Sequence, residues 1–119
     1  MSTATQYLQI APERGSFRVN RKTFVDPDIF QREQDRVFGQ CWLYVGHESE
    51  LKKPNSYLTR TIAGRPLIFV RSSSNEMRCF INVCPHRGAQ IVRARDGKAK
   101  NFTCIYHGWS WNNDGELVH

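Results

Sequence analysis

The apolar positions change their period near residue 40, and the change divides the chain into two kinds of local structure. Before it, Phe30, Val37 and Phe38 recur with Gln34 at near-helical spacing. Asp26-Pro27 stands in front of this run, an acidic cap followed by proline at the first helical position, where a missing N–H costs nothing. With Gly39 as terminator, the spacing predicts one helix over 27–38. Beyond it, β-branched and aromatic residues crowd into Trp42–Val45, Tyr57–Ile62, Leu67–Arg71 and Met77–Val83, which read as strands. Turn formers separate them: Lys53-Pro54-Asn55-Ser56, Ala63-Gly64-Arg65-Pro66 and Ser72-Ser73-Ser74-Asn75. Further on, the Asp-Gly pairs at Asp96-Gly97 and Asp114-Gly115 predict hairpins. The expectation is a mainly β, antiparallel domain over residues 23–119, led by one helix. Residues 1–22 are polar and without period, with Pro12 and Gly15 among them, and are expected to form an extended N-terminal arm.

Composition narrows the function classes. The 119 residues amount to one domain, and 39% hydrophobic content is enough for a core. Leu67–Val70 is far too short to span a bilayer, and Met1–Ile10 has neither the basic flank nor the apolar stretch of a leader, so a cytoplasmic protein without a membrane role is expected. In that reducing compartment the four cysteines are metal ligands or core residues rather than disulfides. The net charge is +6, but the cations run from Arg14 to Lys100, interrupted by Glu33, Asp35, Glu48 and Glu50. No groove-reading motif accompanies them, so no nucleic-acid partner is expected. One local excess remains, Arg87, Arg93, Arg95, Lys98 and Lys100 against Asp96 alone. It reads as a solvated basic loop or as a docking patch for an acidic redox partner.

The chemistry is concentrated in two short stretches, Cys84-Pro85-His86-Arg87-Gly88-Ala89 and Cys104-Ile105-Tyr106-His107-Gly108-Trp109. Each pairs a cysteine with a histidine two or three positions on, so a single loop can aim both side chains at one site. The Asp96-Gly97 hairpin is expected to return the chain and lay the second loop beside the first. Cys84, His86, Cys104 and His107 then supply two thiolates and two imidazoles. That set suits a 2Fe-2S cluster in which one iron takes both sulfurs and the other both nitrogens. A tetrahedral zinc site is the rival, although zinc modules usually pair like with like in each arm, whereas here each arm is mixed. Gly88 and Gly108 read as turn glycines or as points of close backbone approach to the cluster. Trp109 and Trp111 read as packing in one strand, Cys41 and Cys79 as buried small hydrophobes, and His47 as a hydrogen-bonded structural histidine.

Cys-x-His, a spacer of 17 residues from Arg87 to Thr103, and Cys-x-x-His-Gly resemble the Rieske signature. More narrowly, Cys84-Pro-His-Arg-Gly-Ala, Cys104-x-Tyr-His-Gly-Trp and Asp114-Gly115-Glu116-Leu117 resemble the large (alpha) subunit of aromatic-ring-hydroxylating dioxygenases. Phe24-Val25-Asp26-Pro27, the segment Trp42–Leu51, Val70-Arg71 and Asn82-Val83 fit the same pattern, so the resemblance runs over residues 24–119. Ile105 departs from it, standing where the family usually has proline. The resemblance implies a Rieske-type antiparallel β sandwich with a small cluster-binding subdomain at residues 82–112 and Cys84, His86, Cys104 and His107 as ligands. Respiratory Rieske proteins carry a loop-bridging disulfide and hydroxyls toward the cluster. The corresponding places here are Ala89, Tyr106 and Trp109, so a potential at the low end of roughly −150 to +300 mV is expected. The resemblance further implies electron flow from NAD(P)H through a flavin reductase, with or without a ferredoxin, to the cluster and on to a mononuclear Fe(II) that dihydroxylates a small aromatic substrate with O2. That iron belongs to a catalytic domain beyond these residues, which makes an N-terminal fragment the expectation. An alpha3 or alpha3beta3 assembly is implied, with His107 facing the neighbouring subunit's iron site. A Rieske monooxygenase or demethylase and a standalone Rieske ferredoxin are the alternative readings.

Overall fold

The computed structural model describes residues 6–119, and the chain divides into two compact units between Trp42 and Leu43. In the first, β1 (Leu8–Ala11) and β2 (Ser16–Val19) form an antiparallel hairpin with Ile10 opposite Phe17. Gly15, at φ +58°, ends the Pro12–Arg14 turn between them. The expected extended arm is therefore a hairpin over much of its length, and its first five residues lie outside the described ones. A single turn of helix, α1 (Lys22–Val25), precedes α2 (Pro27–Glu33). Asp26 caps α2 as expected, its carboxylate accepting from the N–H of Asp28 at 3.0 Å and of Ile29 at 3.4 Å. The helical run does reach Phe38, but Gln34–Phe38 winds in wider i→i+5 turns. Gly39 follows it, at a position where a Cβ would stand 2.7 Å from the Asp35 carbonyl oxygen.

The second unit is built on a four-stranded antiparallel sheet in the order β5-β4-β3-β6: β3 (Ser56–Ile62), β4 (Arg65–Arg71), β5 (Met77–Ile81) and β6 (Asp96–Lys98). Ala63 and Gly64, both at positive φ, make the two-residue turn whose twist matches that of the β3–β4 hairpin. A two-stranded ladder, β7 (Asn101–Thr103) with β8 (Ser110–Asn112), follows, and the chain turns at Asn113–Gly115 to bring Leu117 opposite Trp111. The core lies on one face of β4: Ile68 and Val70, two residues apart, pack with Val92 and Phe102 and with partly buried Tyr57, Phe80, Ile91 and Ala99. Tyr57 meets Phe102 edge to face at 5.4 Å.

Four expectations are corrected here. Asp96-Gly97 is not a hairpin turn; both residues lie in β6, paired with Leu58 and Tyr57 of β3. Gly97 is needed there because a Cβ would come within 2.8 Å of the Tyr57 hydroxyl, and the bend falls instead at Ala99-Lys100, between β6 and β7. Trp42–Val45 belongs to no ladder among the described residues. The Val45 carbonyl is taken by the Arg60 guanidinium, and Trp42 and Tyr44 are exposed, so no strand edge claims the segment. The strand drawn as Met77–Val83 ends at Ile81, because Asn82 turns its side chain into the interior. Cys41 and Cys79 are exposed rather than buried.

Candidate metal centre

The two Cys/His stretches fold as the same turn made twice. In the first loop the Cys84 N–H donates to the Ala89 carbonyl at 2.8 Å, and the Gly88 N–H returns to the Cys84 carbonyl at 2.9 Å. In the second, Cys104 N–H donates to the Trp109 carbonyl at 2.8 Å and Gly108 N–H to the Cys104 carbonyl at 3.0 Å. Gly88 and Gly108 sit at φ +72° and +79°, a region that side chains with a Cβ avoid. A Cβ on either would meet nothing within 4 Å, so backbone conformation rather than space requires glycine. The histidine occupies the third position of one loop and the fourth of the other, which accounts for the unequal spacings in the sequence.

This repetition sorts the four side chains by depth. Cys84 and Cys104 are buried, at 3% and 1% exposure, whereas His86 and His107 lie on the surface with ring centroids 4.6 Å apart. The Cys104 thiol is held below its ordinary pKa: the Tyr106 N–H donates to its sulfur, burial opposes, and the Cys84 thiol and His107 N–H add to the lowering. A cysteine biased toward thiolate beside a second cysteine is the donor chemistry an iron–sulfur cluster takes. Among the described residues no three His, Cys, Asp or Glu side chains converge as a single metal ion needs. Two protein donors per iron is what a 2Fe-2S cluster uses, and the cysteine pair below the histidine pair fits that division.

Residues that the sequence reading did not single out frame the loops. Asn82 is buried at 1% exposure; its amide donates to the Val92 carbonyl at 2.7 Å while its oxygen accepts from the Val92 N–H at 2.8 Å, closing the first loop at its base. Asn113, equally buried, joins three segments, accepting from the Ser73 N–H at 3.1 Å and donating to Asn55 Oδ1 at 2.7 Å and the Ala99 carbonyl at 3.4 Å. A polar residue at the end of an apolar strand was the one available signal for Asn82. The second loop is the connection between β7 and β8, closed by Thr103 and Ser110, whose hydroxyls are 2.8 Å apart. Trp109 lies just ahead of β8 and stacks on His86 of the other loop, with centroids 5.1 Å apart and planes 7° from parallel. Tyr106 covers His107 at 3.9 Å. His47 is structural, as expected: its Nδ1 accepts from the Ser49 N–H at 3.2 Å, and its own N–H donates to Glu50 at 2.9 Å. Arg87, Arg93, Arg95, Lys98 and Lys100 are all exposed, and none enters an ion pair among the described residues. No helix among those residues is long and apolar enough to cross a membrane.

Comparison with known proteins agrees with this geometry. Residues 41–119 match the family model of the Rieske [2Fe-2S] domain. The alpha subunit of chlorobenzene dioxygenase from Cupriavidus sp. (strain PS12) is 42% identical over 102 residues, which cover 86% of this chain and 23% of that protein. The alpha subunit of biphenyl 2,3-dioxygenase from Rhodococcus jostii (strain RHA1) is 40% identical over 101 residues, 85% of this chain and 22% of that one. Among solved structures, naphthalene 1,2-dioxygenase from Rhodococcus sp. bound to indole superposes with a TM-score of 0.76 at 39% identity, over 79% of this chain and 21% of that one. The quaternary ammonium Rieske monooxygenase CntA gives a TM-score of 0.76 at 36% identity, over 82% and 27%. The chain thus spans about a quarter of the length of the proteins it matches.

Proposed function

The chain belongs to the Rieske [2Fe-2S] domain family and is homologous to the N-terminal region of aromatic-ring-hydroxylating dioxygenase alpha subunits, and from that premise we propose that Cys84, His86, Cys104 and His107 hold the cluster and that the chain is the electron-entry domain of such an oxygenase. The observation that carries the assignment is the duplicated loop, which sets a buried cysteine pair beneath an exposed histidine pair. When bound, a Rieske cluster supplies a one-electron carrier whose potential the neutral imidazoles raise above that of all-cysteine clusters. Cys84 and Cys104 anchor the sulfur-held side inside the protein. His86 and His107 bring the other side to the surface, where a redox partner can approach.

The complete enzyme, in this reading, draws electrons from NAD(P)H through a flavin reductase, with or without a ferredoxin, and adds O2 to a small aromatic substrate at a mononuclear Fe(II) outside these residues, in an alpha3 or alpha3beta3 assembly. The dioxygenase relatives named above support the aromatic substrate class. A monooxygenase outcome is the second reading, favoured by the equal superposition on CntA. The free cations from Arg87 to Lys100 supply a docking face for an acidic electron donor.

Electron paramagnetic resonance of the dithionite-reduced protein tests the assignment. A Rieske spectrum, with its low average g value, is expected, and a silent or all-cysteine-type spectrum overturns it. His107→Cys replaces a neutral ligand by an anionic one, so a cluster retained in that variant should have a markedly lower potential. An unchanged potential and spectrum would remove His107 from the ligand set.

A further inference from the structure

We propose that Trp109 is a positioning residue that braces the two cluster loops against each other, a connection made by its stack on His86 and resting on the ligand assignment above. Each loop is closed internally, by Cys84–Ala89 and Cys104–Trp109 backbone bonds, and is anchored to its own frame, by Asn82 or by Thr103 and Ser110. Among the described residues, no side-chain or turn hydrogen bond with nitrogen or oxygen partners runs between residues 84–89 and 104–109. No disulfide ties the loops: all four cysteines are free, and the two outside the ligand set, Cys41 and Cys79, are exposed. Three contacts remain. The thiols of Cys84 and Cys104 meet in the interior, the imidazoles of His86 and His107 meet edge-on with centroids 4.6 Å apart, and the indole of Trp109 lies parallel to the imidazole of His86, the one contact that a residue outside the ligand set makes.

The stack has the geometry of a brace. Trp109 projects from the residue whose carbonyl closes the second loop, so its ring is fixed to that loop's backbone. Its plane lies 7° from that of His86, and the ring of Trp111, in β8, is tilted against the indole with centroids 6.2 Å apart. His86 is thereby covered on one face and held in one ring orientation by the opposite loop. The ring that would keep a fixed aim at iron is steadied by a residue outside the proposed ligand set.

The test compares cluster-loaded Trp109→Phe and Trp109→Leu with the wild type. Phenylalanine keeps a stackable ring; leucine fills space without one. Iron release to a chelator is followed by loss of visible absorption, with visible circular dichroism of the intact cluster as a second readout. Aromatic stacking of ordinary strength implies release about three- to tenfold faster in the leucine variant, with a changed dichroism spectrum and most of the loss recovered by phenylalanine. Ile105→Ala, on the same loop but exposed, should release iron at the wild-type rate. Equal rates for the leucine variant and wild type, or for leucine and phenylalanine, overturn the brace. If the wild type itself lacks a Rieske spectrum, the ligand assignment fails instead, so the two failures are distinguishable.

Discussion

Asn82 is satisfied by one partner, Val92, through both ends of its amide, and neither end faces solvent. Asn82→Ala therefore strands the buried Val92 N–H, while the Val92 carbonyl keeps its hydrogen bond from Gln90 at 3.0 Å. A loss of about 1–3 kcal/mol is expected, the cost of one unsatisfied buried group; denaturant unfolding of the loaded protein measures it. Asn82→Asp should be no better: it still accepts from the Val92 N–H but buries a charge that faces the Val92 carbonyl. Gly108 tests a different force. With open space around the missing Cβ, Gly108→Ala should cost about 1–2 kcal/mol through backbone conformation alone. Gly108→Asn should cost less, because asparagine tolerates the left-handed region, and thermal melts of the pair would separate conformation from crowding. The cysteines and histidines could be read from spacing because their chemistry is local to each loop. The role of Asn82 could not, because its partner lies ten residues on, and a polar residue at the end of an apolar strand does not say which backbone it will bind.

The segment from Trp42 to Leu51 shows how an element depends on what it meets. Its apolar run has strand character, yet no sheet edge receives it; side chains hold it instead. Arg60, from β3, binds the Val45 carbonyl and Glu50, while Arg71, from β4, binds the carbonyls of Leu51 and Glu48. Glu50 also accepts from the His47 N–H, and these contacts, Arg60 foremost, hold its carboxyl below the ordinary carboxylate range. A carboxylate whose pKa is lowered in the folded state stabilises that state above its unfolded pKa, and the contribution is lost as pH falls through the folded value. Glu50→Gln should therefore destabilise the protein near neutrality, and the difference from wild type should vanish in acid below the ordinary carboxylate range. Unfolding curves at a series of pH values would show it, and a gap that persisted in acid would remove Glu50 as the cause. By contrast, the Asp26-capped helix was legible because cap, proline and apolar spacing lie within one stretch of chain.

Across the domain, the exposed cations Arg87, Arg93, Arg95, Lys98 and Lys100 lie in and between the two Cys/His loops along the chain. Arg87 lies beside His86 in the first loop, and Lys98 lies in β6, which joins the stretch between the two loops to the main sheet through β3. Reversing Lys98 and Lys100 to glutamate should slow electron transfer from an acidic donor about tenfold at low salt, with the difference fading as added salt screens exposed charges. Stopped-flow reduction at two ionic strengths checks this; rates that do not change with the reversal would place the donor elsewhere. The same strand illustrates long-range choice. Asp96-Gly97 suits a turn, but β3 offers an edge, and Tyr57 covers the glycine.

The pairing of Cys84 with His86 and of Cys104 with His107, the helix cap and the strands β3, β4 and β5 could be read directly, because each depends on residues within about one turn or one strand of each other. The duplicated loop, the depth at which its cysteines lie, the Asn82 and Asn113 clamps and the Trp109 stack came from folding. These join residues far apart in sequence, and burial and hydrogen-bond partners are properties of the packed chain rather than of any local stretch.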